Sequence, residues 1–169
     1  MKKALWICLL FIAATFSSNA QITTAIELND HLADITDSLF AHGQRWGKQF
    51  NTAYQNGDYA SLKPYSKNLE NFVDDRIKEV QSMKDIGNSK ELRMAMLDFL
   101  KFEKRMITEA FRPFEKLSAD ASEAEVQAQL DVTTKLSELE QAELVKVGDA
   151  QEKYGAANDF SIMPAEDEY

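Results

Sequence analysis

An all-α fold, an antiparallel up-down-up-down four-helix bundle with a short C-terminal tail, is what this chain predicts, and three observations carry the prediction. Apolar residues recur at alternating steps of three and four along four separate stretches, the signature of amphipathic helices. Glycine and proline are scarce, six and three in 169 residues, and no stretch alternates apolar and polar residues between turn signals. The links between the four stretches are only a few residues long, which sets each helix beside its predecessor and reverses its direction.

The first helix is expected over 24–56. Its inward seam reads Leu28, Leu32, Ile35, Leu39, His42, Trp46, Gln49, Ala53, with Gly57 as a left-handed stop. Gly43 and Gly47 lie inside it, each costing about 1 kcal/mol against alanine. They are read as a smooth patch for a neighbouring helix. The second helix, over 61–84, carries Leu62, Tyr65, Leu69, Phe72 with Val73, Arg76 with Ile77, Val80 and Met83. Pro64 falls in its first turn, where a missing N–H does no harm. The third is expected to open with a capping box from Asn88 to Glu91. It runs through Leu92, Met96, Phe99, Glu103, Met106, Ala110, Phe114 and Leu117, with a kink at Pro113. The fourth opens with a second box, Ser122 to Glu125, and carries Val126, Leu130, Thr133, Leu136, Leu139 with Glu140, Leu144, Val147 and Tyr154 before Gly155 ends it.

Three segments follow: a signal peptide over 1–20, the bundle over 21–155, and an acidic tail over 156–169. Lys2 and Lys3 precede an apolar run over 4–16, and Ser18 and Ala20 supply the small residues before a cut. The run is shorter than the ~20 apolar residues a bilayer span needs. Cys8, the only cysteine, lies inside that run, so the expected exported chain has no disulfide, no thiol nucleophile and no lipid anchor. The expected location is the periplasm, the cell surface or the exterior.

Cleavage removes two of 19 basic residues, leaving 17 against 28 acids, a net of −11. Such a surface repels nucleic acid and anionic lipid heads. It leaves an unidentified protein partner or self-association as the expected interaction, with no membrane span after cleavage.

Four polar residues occupy inward positions: His42, Arg76, Glu103 and Glu140. Measured at about 1.5 Å per residue from the turns, their heights agree to within about 8 Å. A buried charge must be paired or shift its pKa, and an imidazole, a guanidinium and two carboxylates can satisfy one another. With Trp46 beside them they are the candidate ligand-binding set. A network that fixes register, or stems reaching water along the seam's edge, is the structural alternative.

Other chemistries lack their residues. A di-metal bundle needs Glu-x-x-His twice, but Leu28 precedes His31 and Leu39 precedes His42 at that spacing. His31 is expected at the solvated surface. No Gly-rich phosphate loop, nucleophile elbow or His-Glu-x-x-His motif occurs, so neither an enzyme, a metal nor a cofactor is expected.

The layout of leader, four acidic helices and apolar-acidic tail resembles small exported bacterial four-helix-bundle proteins of the surface or periplasm, of unknown function. The ending Ala150-Gln151-Glu152-Lys153-Tyr154 followed by Asn158-Asp159-Phe160 belongs to that likeness. The likeness is architectural and implies no site residue. In shape the chain is also similar to haem-binding cytochrome bundles, whose ligand pattern it lacks. The expected function is a non-enzymatic protein- or envelope-binding module. The alternative is a bundle holding a small cofactor or metal at the mid-bundle polar layer.

Overall fold

Thr24 starts the first helix with a reciprocal cap: its hydroxyl accepts from the Glu27 N–H, and the Glu27 carboxylate accepts from the Thr24 N–H at 3.0 Å. In the computed structural model, which describes residues 22–162, α1 then runs Ala25–Asn56 and stops at Gly57, whose φ of 68° is the left-handed cap expected of glycine. A 3-10 turn, Tyr59–Leu62, leads into α2, Lys63–Ser82. The next helix, α3, is Lys90–Met106, continued by a π-helical stretch, Ile107–Phe111, and a last α turn, Arg112–Phe114. The last, α4, is Glu123–Ala157, opened by the expected box between Ser122 and Glu125. The four helices pack against one another, and no strand occurs among the described residues. None of their helices is long and apolar enough to cross a membrane. The expected signal peptide over 1–20 lies outside the described residues, as does the tail beyond 162.

Two boundaries differ from expectation. Asn88 does not cap α3: with Gly87 it forms a turn in which both residues take positive φ, 57° and 60°. Ser89 stands at the N-cap instead, and its fully buried hydroxyl is spent on the loop rather than on the helix. It accepts from the Ile86 N–H and from Arg93 Nε, and donates to Asp85. At the far end, Gly155 does not end α4. It is buried within the last turn, because Phe160 folds back over it. A Cβ there would meet the Phe160 carbonyl at 2.8 Å, and the Phe160 ring packs edge-on to Tyr154. Ile162 also returns to this point; Met163, expected with it, is outside the described residues.

Pro113 disturbs α3 one turn earlier than a simple kink. It has no N–H for the Glu109 carbonyl, so the helix widens and the Arg112 N–H reaches back to Ile107. The extra residue turns Phe111 onto Trp46, the rings stacked at 4.1 Å, while Phe114 stands edge-on to Phe50 at 4.8 Å. Trp46 also donates from Nε1 to the buried Ser66 hydroxyl at 2.9 Å, locking this aromatic end of α1 to α2.

The main core runs through Leu32, Val73, Met96, Leu100 and Ile107, all fully buried. α3 is the central helix, packed closely on both α2 and α4, whereas α1 meets α4 only sparsely. One tie between that last pair is the hydrogen bond from Gln151 to Asn29 at 3.3 Å. A cleft remains between 36–44 of α1 and 137–144 of α4.

Candidate functional site

Glu103 stands where the 3-4-3 spacing from Met96 and Phe99 to Met106 demands an inward residue, and it is only 5% exposed. Glu140 arrives from α4 on the face carrying Leu136 and Leu144. The two carboxyls form the floor of the α1–α4 cleft, a cavity of about 240 Å³. Its walls are mostly apolar, with Leu39 and Phe40 from α1, Phe99 and Met106 from α3 and Leu144 from α4, and Thr36, Gln44 and Ser137 add polar groups. Phe40 stands at the rim, 68% exposed. Gly43 also lines it, and a Cβ added there would meet nothing within 4 Å. The same holds for Gly47, so neither glycine is the helix-contact patch that the sequence suggests.

Two acids this close in an apolar setting cannot both ionise. Burial, then the charge of Glu140, then a hydrogen bond donated to Glu140 push the Glu103 carboxyl up to about 9. At neutral pH it therefore keeps its proton. No N–H or O–H of the described residues reaches Glu103 Oε1, although that atom is buried. Glu103 thus brings to the cavity a buried acceptor that no protein donor meets. Acceptors without donors suit a ligand that brings its own N–H or O–H groups.

The other candidate residues sit elsewhere. His42 lies in a separate shallow groove between α1 and α2, its ring 4.8 Å from that of Phe72. Burial, then the charge of Arg45, lowers its pKa. Arg76 covers the same Phe72 ring, its guanidinium carbon 5.5 Å from the centroid, and binds Glu79 at 2.6 Å. Glu79 also holds His31 at 2.7 Å. His31 is therefore half-buried and paired, not solvated, because α2 offers it a carboxylate one turn above Arg76. Trp46 belongs to the aromatic end. The structure brings Glu103 and Glu140 together. It gives Arg76 to Glu79, and no hydrogen bond among the described residues joins Glu103 or Glu140 to His42 or Arg76.

Gly43, read from the sequence as a smooth patch for a neighbouring helix, and Phe40 shape the cleft instead. The available signal was Phe40 itself, a large aromatic one position off the inward seam. Among the described residues no group of three or more metal-ligating side chains converges. The two glutamates alone are short of the donor set that a structural metal site requires. Compared with protein-family models, with curated proteins and with solved structures, the chain matches none.

Proposed function

We propose that this protein is an exported, non-enzymatic helical bundle that binds a small amphipathic amine in the α1–α4 cleft. One observation carries the reading: Glu103 Oε1 is buried, without a donor, at the floor of a cavity lined mostly by apolar side chains. A protonated amine supplies both the N–H donors that Oε1 lacks and a positive charge beside two carboxyl groups that have no cation of their own. Its hydrocarbon body takes the place of water against Leu39, Phe99 and Leu144. Preformed apolar pockets with a few convergent polar groups are the usual form of small-molecule sites.

The reading includes four helices that alternate in direction. Supporting this, Trp46 meets Ser66 while His31 meets Glu79, and Asp74 meets Lys104 while Glu70 meets Arg112. Likewise Glu91 meets Lys153 in the pairing of α3 with α4. It also includes removal of residues 1–20 on export to the periplasm or cell surface, supported by the charged, apolar and small-residue order of that segment.

Calorimetric titration with hexylamine, hexanol and hexanoate tests the site. Hexylamine is expected to bind, hexanol about tenfold more weakly, and hexanoate not at all. Gly43→Leu is expected to abolish binding by filling the cleft, in a helix position where leucine is also the better helix former. No hexylamine binding, or binding unchanged by Gly43→Leu, would overturn the assignment.

A second reading, a protein partner or second copy inserting an apolar side chain, is favoured by Phe40 at the rim. Sedimentation distinguishes it: a Phe40-dependent dimer would place a second chain, not an amine, in the cleft.

A further inference from the structure

The widened turn of α3 does more than stack Phe111 on Trp46. It also brings Arg112 against the first turns of α2, opposite Lys63 and Lys67. With Lys116 these make a groove of about 720 Å³ with four cations along it, on a chain whose net charge is −9. Among the described residues, two carboxylates oppose them. Glu70 lies behind the groove, its Oε2 holding Arg112 at 2.6 Å and Lys67 at 3.1 Å. Glu115 lines the groove with a buried oxygen, Oε1, that has no donor. Lys63 and Lys116 enter no ion pair among the described residues and are exposed. Such a local excess of positive charge is unexpected on so acidic a surface, where like charges gain by spreading apart. A π-helical segment is itself uncommon and recurs at functional sites.

We propose that this groove binds a phosphorylated polyol. The ammonium groups of Lys63 and Lys116 and the outward edge of the Arg112 guanidinium face the phosphate. Glu115 Oε1 accepts from a neighbouring ligand hydroxyl, which accounts for a carboxylate left without a donor in a basic groove. The cavity has room for more than a bare phosphate. Two sources share this chemistry, a free sugar or glycerol phosphate and the headgroup of a phosphoglycerol lipid. The site is separate from the α1–α4 cleft and does not depend on the reading given to it.

The test uses the chain expressed with its leader and purified after export. Glycerol phosphate is titrated at low salt and followed by amide chemical shifts. Saturable shifts are expected over 60–67 and 108–116, and the affinity is expected to fall as salt rises. The double variant Lys63→Gln/Lys116→Gln leaves the Glu70 pairs untouched and is expected to weaken binding about tenfold. A control pair at distant exposed lysines, Lys78→Gln/Lys101→Gln, is expected to leave it within about twofold. Inorganic phosphate is expected to bind more weakly than glycerol phosphate, and Glu115→Gln to narrow that gap. Phosphatidylglycerol vesicles form the second arm. Co-sedimentation reversed by glycerol phosphate assigns the lipid source, and binding of free glycerol phosphate without co-sedimentation assigns the soluble one. Absence of binding in both arms overturns the proposal. So does an equal loss in the control pair, which would show attraction to net charge alone.

Discussion

Two glutamates are buried in this bundle to almost the same degree, Glu70 at 9% exposure and Glu103 at 5%, and their surroundings are opposite. Glu70 has two cations on one oxygen, Lys67 from its own helix and Arg112 from the end of α3. Glu103 has another carboxylate and no cation. The first is a closed arrangement in which the protein meets the cost of burying charge with its own charges. The second leaves that cost uncompensated, next to a cavity. Burial of an acid therefore does not by itself mark a site. What marks one is a buried acid whose partners have been left out.

The sharpest way to break this comparison is a pH series on Glu103. Its folded pKa lies above the unfolded value of about 4.5, so the native state holds a proton that the unfolded state has released. The associated stability is fully present below about pH 4.5 and is lost as pH rises towards about 9. The limiting slope is about 1.4 kcal/mol per pH unit. His42, with its lowered pKa, works in the opposite direction, losing stability as pH falls below about 6.5, so the clean window is pH 6.5 to 9. Urea denaturation across that window is expected to show wild-type stability falling. Glu103→Gln keeps a donor towards Glu140 and has nothing to titrate. It is expected to flatten the curve and to be more stable at pH 8, by roughly 2–4 kcal/mol. A wild-type curve already flat over this window would remove the shared proton from the account.

Glu70→Gln should do the reverse. It leaves Arg112 half-buried without its carboxylate, and the expected cost is about 2 kcal/mol, moderated by the solvent that still reaches Arg112 and Lys67. The same urea series checks it, and a stabilised Glu70→Gln protein would mean that the two glutamates are not distinguished by their partners at all.

Much of this arrangement was legible in the sequence, for reasons visible at particular residues. Leu28, Leu32, Ile35 and Leu39 declare a helix face by spacing alone, and all are buried. Ser122 with Glu125, and Gly57, declare helix ends, because orphaned N–H groups and positive φ have few chemical solutions. Glu103 and Glu140 were found because charge at a seam position breaks the pattern. What spacing does not encode is which neighbour a seam residue meets. Arg76 occupies an inward position, yet its long stem leans along the surface of α2 to Glu79. The sparse α1–α4 contact was hidden for the same reason, since Leu39 is buried although it lines the cleft. The π-helical turn was half legible. Pro113 announced a disturbance, but only tertiary packing decides whether a helix bends or widens.

The smallest expected effect concerns the aromatic end, and it separates that end from the cleft. Trp46 was grouped with the polar residues of α1, yet its ring is stacked between Phe50 and Phe111, and its N–H serves only Ser66. If its role is packing and one hydrogen bond, Trp46→Phe should cost about 1–2 kcal/mol, through lost apolar contact and a Ser66 hydroxyl deprived of its donor. Ser66→Ala removes that orphan. In the double variant the two costs should therefore fall short of additive by about 1 kcal/mol, read from urea midpoints in a double-mutant cycle. Hexylamine affinity should be unchanged throughout, since neither residue lines the α1–α4 cleft. A large loss of amine binding in Trp46→Phe with stability intact would join the aromatic end to the cleft, and the contrast between Glu70 and Glu103 would then no longer locate the site.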